Sequence, residues 1–183
     1  MMDSMATSTL LTWEEFEQLP DRPGKRELLK GELIELPPPI SRHNTIMHMI
    51  LFGLHAALEK AHARGEARGL GEARVEEGYQ LGPRNWLRPD VSVKHARQTG
   101  GKYMEGSPAI AIEVVSPSNT PQTLAEKTAA YFKFGVLEVW HFYPDERHVV
   151  VHVAGAEPVT IRDFVTTPLL PGFTLNVQEI LSL

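Results

Sequence analysis

An α/β domain of the α+β kind, with a central mixed β-sheet flanked by helices and a β-hairpin near its N-terminus, is predicted by three features of the 183-residue chain. Strand-like runs follow one another across short turns. Residues 41–64 and 121–134 carry helical apolar spacing. Residues 109–115 form a run of small and β-branched apolar residues bounded by Pro108 and Pro117, which reads as a buried strand. That strand contains Glu113, and an ionised group out of water is costly unless a partner or a metal compensates it.

The elements follow in order. Thr12 and Glu15 have capping-box spacing, so a short peripheral helix is expected to run to about Leu19 before Pro20. Residues 27–29 and 32–36 read as two strands joined at Lys30-Gly31, and the prolines at 37, 38 and 39 stop the second. From Ser41 to about Arg64, Ile46, Ile50, Leu54, Ala57, Leu58 and Ala61 share one helical face that should pack on a sheet. His48, His55 and His62 on this helix are seven residues apart, roughly 10 Å, too far to share a metal, and read as a solvated flank. His43 sits in the first turn, where capping or exposure competes with a place at a site.

Residues 72–81 and 86–93 suggest an antiparallel pair around the turn 82–85. Alternation places Leu87, Pro89, Val91 and Val93 on one face, with Trp86, Arg88, Asp90 and Ser92 on the other. A polar loop over 94–107 leads to the Glu113 strand, where Glu113 shares a face with Ala109, Ala111 and Val115. Pro121 then opens a helix that ends near Phe134, with Leu124, Thr128 and Tyr131 facing inward. Lys127 leaves from the same face, so its stem either snorkels to solvent or serves a site. Residues 136–143 and 147–153 form a further hairpin, and short strands with a final helical turn complete the chain.

Composition bounds the function. With 42 % hydrophobic residues, the chain has enough apolar material for one core, and a single domain spanning 1–183 is expected. No cysteine is present, which excludes disulfides and thiolate-held zinc or iron–sulfur groups. No apolar run approaches the roughly 20 residues of a membrane span. Residues 1–5 lack the basic-then-apolar pattern of a secretion signal, so a cytoplasmic protein without membrane association is expected. A net charge of −5 does not advertise nucleic-acid binding, although local basic groups or a bound metal are compatible with it.

Asp90 and Glu113 would project from neighbouring strands, and Lys127 from the helix that follows the second. Two adjacent carboxylates resist joint ionisation unless a cation holds them, and hard oxygen donors select Mg²⁺, Mn²⁺ or Ca²⁺. A nearby ammonium suits charge stabilisation at a phosphorane-like transition state, so the combination points to metal-assisted phosphodiester hydrolysis.

The segments Arg88-Pro89-Asp90-Val91-Ser92-Val93, Ile112-Glu113-Val114-Val115-Ser116-Pro117-Ser118 and Lys127…Tyr131…Gly135-Val136-Leu137-Glu138-Val139-Trp140 together resemble the Uma-type family of bacterial putative restriction endonucleases, within the PD-(D/E)xK nuclease superfamily. The hairpin from Arg26 to Glu32 and the following His43 match its N-terminal pattern, and the resemblance covers about residues 12 to 175. It implies a restriction-endonuclease-like core and an endodeoxyribonuclease using Mg²⁺ or Mn²⁺. Asp90 and Glu113 would be the metal ligands. The superfamily lysine position two residues beyond the acid holds Val115, and Lys127 matches the family's relocated lysine. Glu27 is implied as a further acid ahead of Glu32, with His43 an additional candidate. DNA is the implied partner. A homodimer is expected because duplex cleavage needs two cuts. The alternative is a catalytically silent, nuclease-derived nucleic-acid-binding or scaffold protein.

Overall fold

The computed structural model describes residues 10–182, so the expectation for residues 1–5 lies outside the described residues. The first half comprises α1 (Trp13–Glu17), β1 (Lys25–Leu29), β2 (Glu32–Leu36), α2 (Ser41–Ala63), β3 (Leu70–Val75), β4 (Tyr79–Gln80), β5 (Trp86–Leu87) and β6 (Val91–His95). The second comprises β7 (Met104–Glu105), β8 (Ile110–Val114), α3 (Pro121–Lys133), β9 (Glu138–Tyr143), β10 (His148–Val153), β11 (Val159–Ile161), β12 (Phe164–Val165), β13 (Leu175–Asn176) and α4 (Val177–Leu181).

The central sheet has six strands in the order β11-β10-β9-β8-β6-β3 and is mixed, as expected. Its parallel pair is β8 and β9. Parallel neighbours need a crossover, and α3 supplies it: the Thr120 side chain accepts from Thr123 N, and Pro121 occupies the first turn. On one face Ile46, Ile50, Leu54 and Leu58 of α2 pack with Val91, Val93, Ile110, Ile112, Trp140 and Phe142. On the other, Tyr131 of α3 packs with Ala111 and Val139 and with Leu29, Tyr79, Leu81 and Leu87. Strand β8 is thus covered on both faces, and all five of its residues are buried.

The last of these contacts belong to a second sheet, of order β2-β1-β5-β4-β7, that the sequence reading did not separate. Its β1–β2 hairpin turns where expected, with positive φ at Lys30 and Gly31. The expected long pair at 72–81 and 86–93 is divided between the sheets. Strands β4 and β5 pair around the 82–85 turn in the second sheet, whereas β3 and β6 pair in the central one. Arg88-Pro89-Asp90 lies outside both ladders, where proline's missing N–H costs no ladder bond. Alternation holds only along an unbroken strand, so Leu87 faces the α3 side while Val91 and Val93 face α2. For the same reason Ala109, which precedes β8, packs on the α2 side rather than beside Glu113.

Two further expectations are corrected. Helix α1 has the predicted Thr12–Glu15 capping box, but it is not peripheral: Trp13 and Phe16 are buried against Leu28, beside Trp86 and Tyr103. The loop over 94–107 contains β7, which pairs parallel with β4. The histidine row of α2 is exposed, as expected. Among the described residues, no helix is long and apolar enough to cross a membrane.

Candidate active site

Four elements deliver charged side chains to one interior point. The antiparallel register of β6 and β8 pairs Val91 with Ile112, and one further step sets Asp90 opposite Glu113. Both project away from the α2-side core because Val91, Ile112 and Val114 project toward it. Strand β1 contributes Lys25 and Glu27, two residues apart and both buried. Helix α3 contributes Lys127, one turn from Leu124 and Tyr131, with an exposure of only 1 %. Lys127 is therefore held in the interior and does not snorkel to solvent.

The contacts form two neighbouring acid–base groups, one around Lys127 and one around Asp90. Lys127 Nζ lies 2.6 Å from Glu113 Oε1, and 3.1 and 3.0 Å from the two oxygens of Glu27. The Tyr131 hydroxyl donates to Glu113 Oε1 at 3.1 Å. Glu27 Oε1 also accepts from Arg88 N at 2.7 Å, which ties the second sheet to the segment entering β6. Lys25 Nζ donates to Asp90 Oδ1 at 2.8 Å. Asp90 Oδ2 accepts from Val114 N at 2.8 Å and stands 3.3 Å from His43 Nε2. His43 Nε2 is also 3.1 Å from the Val114 carbonyl oxygen.

Protonation follows from competition between burial and these neighbours. Burial favours a neutral Asp90, but Lys25 and His43 outweigh it and hold the carboxyl below its ordinary range. Burial likewise opposes charge on Lys25 and Lys127. For Lys25 the carboxylates of Asp90, Glu27 and Glu113 reverse the balance, and for Lys127 those of Glu113 and Glu27, so both ammonium groups are raised above the usual lysine value. Glu113 is pushed upward by burial, opposed by Lys127 and Lys25 and reinforced by Asp90 and Glu27. Fully ionised, the three carboxylates exceed the two ammonium groups by one negative charge while His43 is neutral, and a protonated His43 cancels it.

A cavity of about 300 Å³ opens above the network, lined by Lys25, His43, Glu76, Asp90 and Glu113, with walls from Pro37–Ile40 and Ser116–Asn119. Asp90 and Glu113 share this cavity and supply the hard oxygen donors that suit magnesium or manganese. Among the described residues, no group of three or more His, Cys, Asp or Glu side chains is arranged to hold a metal ion. The donor chemistry fits a hard cation, although ammonium groups stand at Asp90 Oδ1 and Glu113 Oε1.

The structure brings together Asp90, Glu113, Lys127, Glu27 and His43. It does not bring in Glu32, which is exposed at the hairpin turn opposite Leu29. Glu27 and Glu32 lie on the two strands of one hairpin, and burial of β1 rather than β2 separates them. Lys25 escaped the sequence reading. The available signal was its alternation with Glu27, which places two charges on the same face of a short strand.

A family model described as "Uma2: Putative restriction endonuclease" matches residues 13–178, most of the chain. No curated protein matches it significantly. Among solved structures, a putative nuclease belonging to DUF820 from Anabaena variabilis is similar, with 21 % identity and a TM-score of 0.79. The similarity covers 94 % of this chain and 98 % of that one, and at this identity it shows the fold. By the extent of the family match, the chain belongs to the Uma2 family of putative restriction endonucleases.

Proposed function

We propose that the protein is a divalent-cation-dependent endonuclease that hydrolyses phosphodiester bonds in DNA. The observation that carries the reading is the convergence of Glu113, from β8, and Asp90, from the segment entering β6, on one cavity with Lys127 Nζ 2.6 Å from Glu113. Asp90 and Glu113 would hold the cation. Magnesium or manganese, when bound there, supplies Lewis-acid polarisation of a phosphoryl oxygen and a more acidic water. Lys127, fixed between Glu113 and Glu27, presents a permanent positive charge beside the acids and stabilises the negative charge that develops on phosphorus oxygens. Glu27 assists by orienting Lys127, and the Arg88 N–H locks Glu27 in turn. His43 steadies Asp90. The working form is a homodimer in the cytoplasm, each copy cutting one strand.

A second reading, a silent nuclease-derived binding or scaffold protein, draws on the ammonium groups that already cover both acids and on the net charge of −5. Calorimetric titration with Mn²⁺ and Mg²⁺ followed by plasmid nicking separates the two, with Glu113→Ala as control. Metal binding and nicking that both vanish in Glu113→Ala support the enzyme. Failure of the wild type to bind metal or to cleave any DNA or RNA leaves the scaffold reading.

A further inference from the structure

We propose that Lys25 is a tethered counter-ion: its ammonium holds the place that a divalent cation takes at Asp90, and it swings into the cavity to face the substrate phosphate when the cation binds. The proposal rests on the metal reading of this site and adds a residue and an exchange to it.

The two oxygens of Asp90 are not equivalent. Oδ2 is committed to Val114 N at 2.8 Å and to His43 Nε2 at 3.3 Å, which anchor it to β8 and α2. Oδ1 remains for a cation, and Lys25 Nζ covers it at 2.8 Å. The two lysines of the network also differ. Lys127 is clamped between Glu113 and Glu27, whereas Lys25 lines the cavity and has about 300 Å³ of space beside it. A lysine head on a flexible four-carbon stem can make that move without disturbing β1, and an ammonium is an effective point-charge partner for phosphate.

Charge balance favours exchange over addition. With His43 neutral, three carboxylates with Lys127 and a divalent ion carry no net charge once Lys25 has left; with Lys25 in place the same buried cluster would hold one excess positive charge. At Asp90 the exchange would replace the ion pair to Lys25 by a contact to the cation, and no proton is transferred.

The test is Mn²⁺ titration by calorimetry on the full chain, comparing wild type with Lys25→Met and Lys25→Gln at fixed pH and salt. Removing the competitor is expected to tighten Mn²⁺ binding about tenfold or more. In EDTA the melting temperature of each variant should fall below that of wild type, and Mn²⁺ should raise it by more. Lys25→Gln keeps a neutral hydrogen-bond donor for Asp90 and provides the comparison if Lys25→Met does not fold. Equal or weaker Mn²⁺ affinity in a folded variant overturns the counter-ion role and leaves the metal reading standing. Absence of Mn²⁺ binding in wild type and variants alike sinks the metal reading and this proposal with it. A crystal structure of the wild type with Mn²⁺ needs no variant: Lys25 displaced from Asp90 Oδ1 supports the exchange, and Lys25 still hydrogen-bonded there beside a bound ion refutes it.

Discussion

Lys127 Nζ and Glu113 Oε1 stand 2.6 Å apart in the interior, one carried by α3 and the other by β8, an inner strand of the central sheet. Neither charge has bulk water to fall back on, so removing one strands the other. Lys127→Met is expected to cost about 3–5 kcal/mol of stability by urea denaturation and to abolish nicking. Combined with Glu113→Gln, the loss should be clearly smaller than the sum of the single losses. Strict additivity would show that the pair is not coupled.

Glu27 and Glu32 offer a controlled contrast within one hairpin. Glu27 is fully buried and bonded to Arg88 N and Lys127, whereas Glu32 is exposed. Glu27→Gln should cost about 1–3 kcal/mol and depress nicking, because one arm of the clamp on Lys127 loses its charge. Glu32→Gln should stay within about 0.5 kcal/mol of wild type and leave nicking unchanged. Denaturation midpoints and nicking rates for both variants decide it, and equal effects would remove Glu27 from the site.

His43 makes stability depend on pH near neutrality. Burial alone would lower its pKa, but the Asp90 carboxylate overcomes that and the nearby Lys25 charge, so the folded value is raised. A raised value means that the imidazolium–Asp90 contribution is complete below about pH 6.5 and is lost as pH rises through the folded value. The stability difference between wild type and His43→Gln, measured in urea at pH 6 and pH 8.5, should shrink at the higher pH. A difference that does not change would mean that His43 does not titrate against Asp90.

Glu138 is a buried acid outside the site. It accepts from Trp140 Nε1 at 2.8 Å and from Thr167 Oγ1 at 2.7 Å, on the α2 side of the sheet. Glu138→Gln is expected to cost about 1–3 kcal/mol through a mismatched donor while Mn²⁺ affinity stays at the wild-type value. A loss of Mn²⁺ binding in the folded variant would show that the site extends through the sheet.

Within any one unbroken element, the sequence by itself determined the outcome. The Thr12–Glu15 capping box, the Lys30-Gly31 turn, Pro121 at the start of α3 and Lys127 on its inward stripe stand where spacing places them, because hydrogen-bond geometry and side-chain periodicity act over a few residues. Glu113 was legible for a related reason: a carboxylate in an apolar strand needs a partner whatever the fold. Only the tertiary structure decided which partners meet. Lys25 reaches Asp90 across 65 positions of chain, and Lys127 reaches Glu27 across 100. The division of residues 72–93 between two sheets likewise depends on how β1, β4 and β5 pack on α3, which no local pattern encodes. Periodicity states which way a side chain points, and packing across the fold sets what it finds there.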